Sequence, residues 1–324
     1  MKIEDIVYGE FEVEPVFEKL INTKEMQRLK KIHQGGACYI VNPEWNVTRY
    51  EHSVGVMLFV RRMGGTIEEQ IAGLLHDISH TAFSHVVDFS LKNKNQDYHE
   101  VIYDEIIYKS AIPKIMEEEG YDFKKILFNE KQWTILEQSA TKLCADRIDY
   151  TLRDLFHYGH ITKDEIEHFL KHIEVFDGEV VITAMDVGEW FVENYYKEVI
   201  DFFMHPLNVY AYDRLAKAIE ISLEESQITL QDLMKVDDYV EKKLCESQIE
   251  EVADIMKQLH SKVKVVENPI DYDIHQKQKI RTIDPTMKVK DEIFQLSKKS
   301  LKSKNMSEAA LSKAKEGIFI KIIS

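Results

Sequence analysis

The stretch TIEEQIAGLLHDISHTAFSHVVD, residues 66–88, constrains the fold more than any other. It opens as an amphipathic helix, with Thr66 as N-cap and Glu68 and Glu69 in the first turn, where the helix dipole favours negative charge. The apolar run behind them must be covered. It ends on His76, His80 and His85, with Asp77 beside the first. Burying that face carries titratable groups inside, and buried polar groups are costly without partners. Other elements must therefore deliver matching groups to the same place. EHSVGVMLFVRRM (51–63) is a second helix that stops at Gly64-Gly65 and bears His52 near its start. CADRIDYTLRDLFHYG (144–159) is a third, with Asp146 in its first turn.

Helical periods recur over 23–32, 97–110, 131–140, 162–173, 186–205 and 207–225. Only 12 glycines and 6 prolines punctuate the 324 residues, which favours long helices over a many-turned β fold. Asp177-Gly178, between alternating flanks in IEVFDGEVVIT (173–183), marks a β-hairpin. Short polar-faced helices are expected over 229–260. Beyond them come strand-like pieces (KVKVVE, KIRTID, GIFIKII) and a lysine-rich helix near 291–315, and the lysines at 288–304 read as one solvated helix face. The expected fold is mainly α. A helical bundle spans residues 1–225 with one small hairpin, and 226–324 form a minor α+β region, with no sharp border between them.

The formal net charge is −15, but residues 261–324 hold 14 Lys+Arg against 8 Asp+Glu, so the rest carries −21. An acidic body argues against a general nucleic-acid coat, and the basic tail keeps nucleic acid as a minority partner. Three scattered cysteines form no CxxC, as fits a reducing cytoplasm. No apolar run approaches a membrane span and the N-terminal stretch is no signal peptide, so a cytoplasmic location without membrane contact is expected.

Imidazoles and carboxylates together are ligands for Mn, Fe, Co, Ni or Zn, and a catalytic site needs several converging with positions left open. His80 lies one turn beyond His76 on one helix face. The segments RYEHSVG, LLHDISHTAFSH, YHE and ADRIDYTLRD, in this order, resemble the HD-domain metal-dependent phosphohydrolases. Among these the sequence is most similar to the deoxynucleoside triphosphate triphosphohydrolases, over about residues 27–212.

The resemblance implies His52, His76, Asp77 and Asp146 as ligands of a divalent transition metal, with Mg a further ion on the nucleotide phosphates. It places His80 and His85 at the phosphate site, Asp88 as the group orienting His85, and His99 and Glu100 as a further catalytic pair. Arg49 would touch the α-phosphate and Arg147 the phosphate chain. Gln34, Tyr150 and Asp154 would hold the sugar, with Tyr150 excluding a 2′-hydroxyl. A homo-oligomer and a dNTP substrate are implied as well.

One departure keeps other substrates open. Where the family carries bases for the β- and γ-phosphates, VENYYKEVIDFFMHP offers only Lys197 and His205. A phosphodiesterase, a nuclease, a nucleotide phosphatase or a non-catalytic nucleotide binder would use the same residues. Asp149 reads as a brace, Asp88 equally as an N-cap, and Arg153-Asp154 as a surface ion pair. Tyr195-Tyr196 and Phe202-Phe203 read as core, and His157, His160, His168 and His172 as surface or packing residues.

Overall fold

Thr48 opens the helix that carries His52. Its hydroxyl accepts from Glu51 N while the Glu51 carboxylate accepts from Thr48 N, a closed capping box that starts α1 (Arg49–Arg62). Thr66 caps α2 (Ile67–Leu75) by accepting from Glu69 N. These two helices pack against each other, and α1 also packs against α4 (Ala145–His157). Between α2 and α4 lies α3 (Tyr98–Lys109), and after α4 come α5 (Met185–Tyr196) and α6 (Pro206–Glu224). The computed structural model describes residues 1–277 and 279–323.

Strands are few and short. β1 (Lys2–Asp5) and β2 (Gly9–Glu12) form an antiparallel hairpin that the sequence reading does not contain. The expected hairpin is there, β3 (Ile173–Phe176) with β4 (Glu179–Ile182), turning through Asp177 and Gly178, both at positive φ. β5 (Val265–Glu267), β6 (Ile274–Gln276) and β9 (Ile318–Ile322) make a three-stranded antiparallel sheet in the order β5-β9-β6. β7 (Thr286–Val289) and β8 (Glu292–Gln295) pair with each other, and β7 joins β4 in parallel. The molecule is mainly α with minor β regions.

Two apolar clusters form the interior. One gathers Phe59, Leu74, Leu152 and Phe191 from α1, α2, α4 and α5. The other surrounds α6 and takes Val86, Leu215, Val240, Val252 and Ile320.

Four local expectations fail for identifiable reasons. Residues 131–140 are not a helix beyond a single 3₁₀ turn, Glu130–Gln132. There the Glu69 carboxylate accepts from Ile135 N at 2.7 Å and Leu136 N at 3.2 Å, and Arg147 takes the carbonyls of Gln138, Ser139 and Lys142. Side chains satisfy the backbone that a helix would otherwise pair. The lysine-rich helix starts only at Leu301, capped by Ser300, because TMKVKDEIFQ alternates and folds as the β7–β8 hairpin around Lys290 at φ 56°. Its lysines therefore share no single helix face. KIRTID is no strand either, and its residues cross the mouth of the central cavity. Finally, the helix expected over 186–205 changes register into a π-turn over Lys197–Phe202 before α6 begins at Pro206.

Candidate metal centre

Three helix ends meet at one point. His52 projects from the first turn of α1, His76 caps the C-terminus of α2 with Asp77 next to it, and Asp146 stands in the first turn of α4. His52 Nε2 is 3.1 Å from Asp146 Oδ1 and 3.8 Å from Asp77 Oδ2. His76 Nε2 is 3.5 Å from Asp77 Oδ1 and 3.9 Å from Asp146 Oδ1. Ligand atoms each about 2.1 Å from a common ion stand roughly 3–4 Å apart, so this spacing suits a single cation.

The outer contacts aim these groups. His52 Nδ1 lies 2.8 Å from Asp149 Oδ2 and His76 Nδ1 lies 2.7 Å from Gly73 O. Carboxylate and carbonyl oxygens only accept, so both Nδ1 atoms carry protons and each Nε2 is turned inward. His76 Nε2 is buried with no hydrogen-bond partner among the described residues. An orphaned acceptor pointing at two carboxylates is what a metal ligand looks like before the metal arrives. Burial opposes charge on His52, but Asp146 and Asp149 outweigh it and lift its pKa to about 10. The site thus holds excess negative charge that a divalent cation would neutralise. Asp77, 5% exposed, would be raised by burial, yet Arg49 Nη1 at 2.5 Å together with His76 and His80 holds it well below the carboxylate range.

Behind His52 runs a buried ion chain. Arg153 Nε and Nη2 grip Asp149 at 3.0 and 2.9 Å, and Nη2 reaches Asp5 at 3.0 Å. Arg153 and Asp154 are each 1% exposed, so the surface ion pair read from sequence is instead an interior brace and a separate buried acid. Asp149 braces as expected. Gly55 makes room for it, since a Cβ there would sit 2.0 Å from Arg153 Nη2 and 2.1 Å from Asp149 Oδ1.

Beside the tetrad stands a wall of imidazoles. His80 and His99 stack at 4.0 Å, and His85 meets both edge-on at 5.0 and 5.2 Å. His80 Nε2 is 3.4 Å from Asp77 Oδ1. Asp88 lies within the short helix Val86–Ser90; its Oδ2 accepts from His85 Nδ1 at 2.9 Å and its Oδ1 from Tyr98 N at 3.0 Å, so it orients His85 and also holds the start of α3. Burial drives His80 well below its ordinary pKa and His99 down to about 4. For His85, burial and the charges of Arg49 and Arg281 push down while Asp88 pulls up, with a net decrease.

All fourteen residues singled out by sequence fall in this neighbourhood, thirteen of them lining one cavity of about 570 Å³ and Asp88 holding His85 from behind. Their side chains are not equally at liberty. Arg49 donates to Asp77 and to Ser84 Oγ. Arg147 is spent on Glu137 and three carbonyls of 137–142. Gln34 Oε1 is buried without a hydrogen-bond partner among the described residues, and buried Asp154 shares a hydrogen bond with Glu198. Tyr150 packs with Tyr195 and Phe203, which also line the cavity, so these two serve core and wall together. His157 reaches Asn46, a packing contact at the surface as expected.

Sequence reasoning missed Lys279 and Arg281, which enter the cavity from the tail, and Glu198, buried in the π-turn. A local signal existed for the latter, an acid amid apolar residues two positions after Tyr196. For the former only the excess of basic residues was visible.

A model of the HD domain matches residues 49–154, the span from Arg49 to Asp154 that contains the whole tetrad. Metal-dependent phosphohydrolase cns2 of Cordyceps militaris is 33% identical over 244 residues, covering 73% of this chain and 70% of its own. The chain belongs to the HD-domain family of metal-dependent phosphohydrolases. The Bacillus subtilis protein YdhJ is 50% identical over 323 residues, all of this chain and 99% of its own length. Human deoxynucleoside triphosphate triphosphohydrolase SAMHD1 is 26% identical over 236 residues, 57% of this chain and 38% of its own. The likeness within the HD family therefore extends to its dNTPase branch. No helix among the described residues is long and apolar enough to cross a membrane.

Proposed function

We propose that this HD protein hydrolyses deoxynucleoside triphosphates to deoxynucleoside and inorganic triphosphate. The observation that carries the reading is one cavity lined by two dissimilar sets of groups. Orphaned His76 Nε2, Asp77 and Asp146 are one set, and Gln34 with its unpartnered Oε1, buried Asp154 and Tyr150 are the other. A phosphate and a hydroxylated sugar need those two chemistries at once. The named dNTPase relatives support the choice.

His52, His76, Asp77 and Asp146 would hold the ion, and Mn, Fe, Co, Ni or Zn suits such a mixed nitrogen and oxygen set. When bound it supplies Lewis acidity to a phosphoryl oxygen and makes water a better nucleophile. The remaining chemistry belongs to the chain. Arg49, fixed by Asp77 and Ser84, presents charge to the α-phosphate without a reorganisation cost. Water adds to the α-phosphorus, the bond to the 5′-oxygen breaks, and that oxygen needs a proton. His85 gives it from Nε2 in its doubly protonated form, whose Nδ1–H is held by Asp88. Neutral His80 and stacked His99 keep His85 in place. Asp154 and Gln34 accept from the sugar, and Tyr150 closes over its face.

The test is a product assay with Mn²⁺, the four dNTPs, matched rNTPs and a single-stranded oligonucleotide, with Asp77→Ala as control. Deoxynucleoside plus intact triphosphate is expected, lowered at least about 10³-fold in the mutant, as for loss of a metal ligand and a transition-state charge together. Orthophosphate release or oligonucleotide shortening without triphosphate would refute the reading and assign a phosphatase or diesterase.

A further inference from the structure

A triphosphate brings more charge than the expected groups can meet. Lys197 is tied to Asn194 Oδ1 and Glu193, and His205 packs on Trp45 with its Nδ1 accepting from Leu207 N. Neither lines the cavity. Arg49 and Arg147 are committed as described. The cations left over come from the tail. Lys279, Ile280, Arg281 and Thr282 line the cavity. The chain is pinned on either side of them, by buried Ile274 in β6 and by Ile283, whose N–H donates to Tyr196 Oη at 3.2 Å. Asp284 N adds a bond to Thr141 O at 2.8 Å.

Arg281 is half-buried, with its guanidinium carbon 5.3 Å from the Phe203 ring centroid. Among the described residues it has no carboxylate partner, and its one hydrogen bond is a 3.5 Å contact from Nη1 to Lys279 O. Its charge nevertheless reaches His85, Tyr150, Tyr195 and Tyr212, four groups from different walls of the cavity. Exposed Lys279 continues outward to an open basin that holds Lys94 and Lys277 together with Asp97 and Glu100. An uncommitted guanidinium facing a phosphate site, with lysines behind it, is a polyphosphate grip.

We infer that Arg281, assisted by Lys279, binds the β- and γ-phosphates and so sets the preference for a triphosphate over shorter phosphate chains. The inference rests on the nucleotide reading above, but it acts through ground-state and transition-state binding of the phosphate chain rather than through the proton or the metal. Arg281 is thus a substrate-binding residue from outside the segment that matches the HD domain.

The experiment uses the full chain loaded with Mn²⁺ and inorganic triphosphate as the probe. Calorimetric binding is compared for wild type, Arg281→Ala, Arg281→Lys and Lys279→Ala, alongside KM and kcat for each dNTP. Arg281→Ala should weaken triphosphate binding about tenfold or more, the effect of removing a charge-assisted contact, and raise KM by a like factor. Its kcat should change less, orthophosphate binding should stay within about twofold, and Arg281→Lys should restore part of the loss. Lys279→Ala should show a smaller loss of the same kind and guards against misfolding of the arginine variants. Unchanged triphosphate affinity in Arg281→Ala, or no triphosphate binding by wild type, overturns the inference. Because binding needs no turnover, Arg281-dependent triphosphate binding without dNTP hydrolysis would refute the substrate reading alone.

Discussion

The metal-binding groups of the cavity and the groups assigned to the sugar are built on opposite rules. In the first set three imidazoles that present Nε2 have Nδ1 tied down, and the acid behind one of them is tied down as well. His52 is held by Asp149, His76 by Gly73, His85 by Asp88, and Asp149 itself by Arg153. In the second set buried acceptors are left without donors among the described residues, namely Gln34 Oε1 and Asn208 Oδ1. The first set is rigid before a ligand comes, which is what a site needs if orientation is to cost nothing at the moment of reaction. The second carries an unmet demand for hydrogen-bond donors, which a hydroxylated ligand would satisfy and an apolar one would not. Rigidity and unsatisfied polarity are thus divided between two sets of groups lining one pocket.

Gly55→Ala attacks the rigid set most severely. The new methyl would meet Arg153 and Asp149 near 2 Å, and both are locked in the ion chain, so neither can step aside. A loss of about 2–4 kcal/mol of stability is expected, from overpacking together with disruption of buried charges. Denaturant unfolding reads it. A stability within experimental error of wild type would show that the chain behind His52 is soft and would erase the contrast between the two sets.

Asp149→Asn is gentler. It keeps shape and some hydrogen bonding but weakens the anchor on His52 Nδ1 and the lift on its basicity. Metal affinity should fall by about 10–100-fold, the usual range for a partner of a ligating imidazole. Metal content after dialysis against a graded chelator checks this. Full retention would mean that His52 is oriented by packing alone.

Asp88→Asn tests the proton donor. Asp88 raises the pKa of His85, against the larger downward effect of burial. Removing its charge lowers that pKa further, and a general acid is lost as pH rises through its own pKa. The basic limb of the kcat profile should therefore move to lower pH, with a several-fold loss near pH 8. A basic limb that stays in place would reassign the acid, with His99 next in line.

These contrasts also explain what could be read from the chain beforehand. The tetrad was legible because its members sit at helix ends in short contiguous motifs, where a residue's position along the chain nearly fixes its position in space. Arg281 was not. It reaches the cavity through the Ile283 anchor and the β4–β7 pairing, contacts between segments about a hundred residues apart that no local period records. The run 131–140 misled for a related reason, since its helical pattern is overridden by Glu69 and Arg147, two side chains from other elements. The depth of Arg153 was hidden as well, because its acid Asp5 belongs to an N-terminal hairpin too short and polar to announce itself.

Glu198 is the smallest lever and the most discriminating. It is fully buried on the π-turn, where its carboxyl group shares a hydrogen bond with Asp154. Burial lifts Asp154 to about 7, and burial with the Asp154 charge lifts Glu198 well above the carboxylate range. Glu198 is then a neutral acid whose O–H can donate to Asp154. An acid with a raised folded pKa binds more protons folded than unfolded. Its contribution is complete below its unfolded pKa of about 4.5 and declines as pH rises toward the folded value. Glu198→Gln stays neutral and keeps a donor, so it should match wild type near pH 5 and be the more stable of the two near pH 8. Chemical denaturation at the two pH values measures the difference. If the variant is instead less stable at pH 8, Glu198 is ionised and matched by an unseen cation, and the groups assigned to the sugar would be as fully paired as the metal-binding ones.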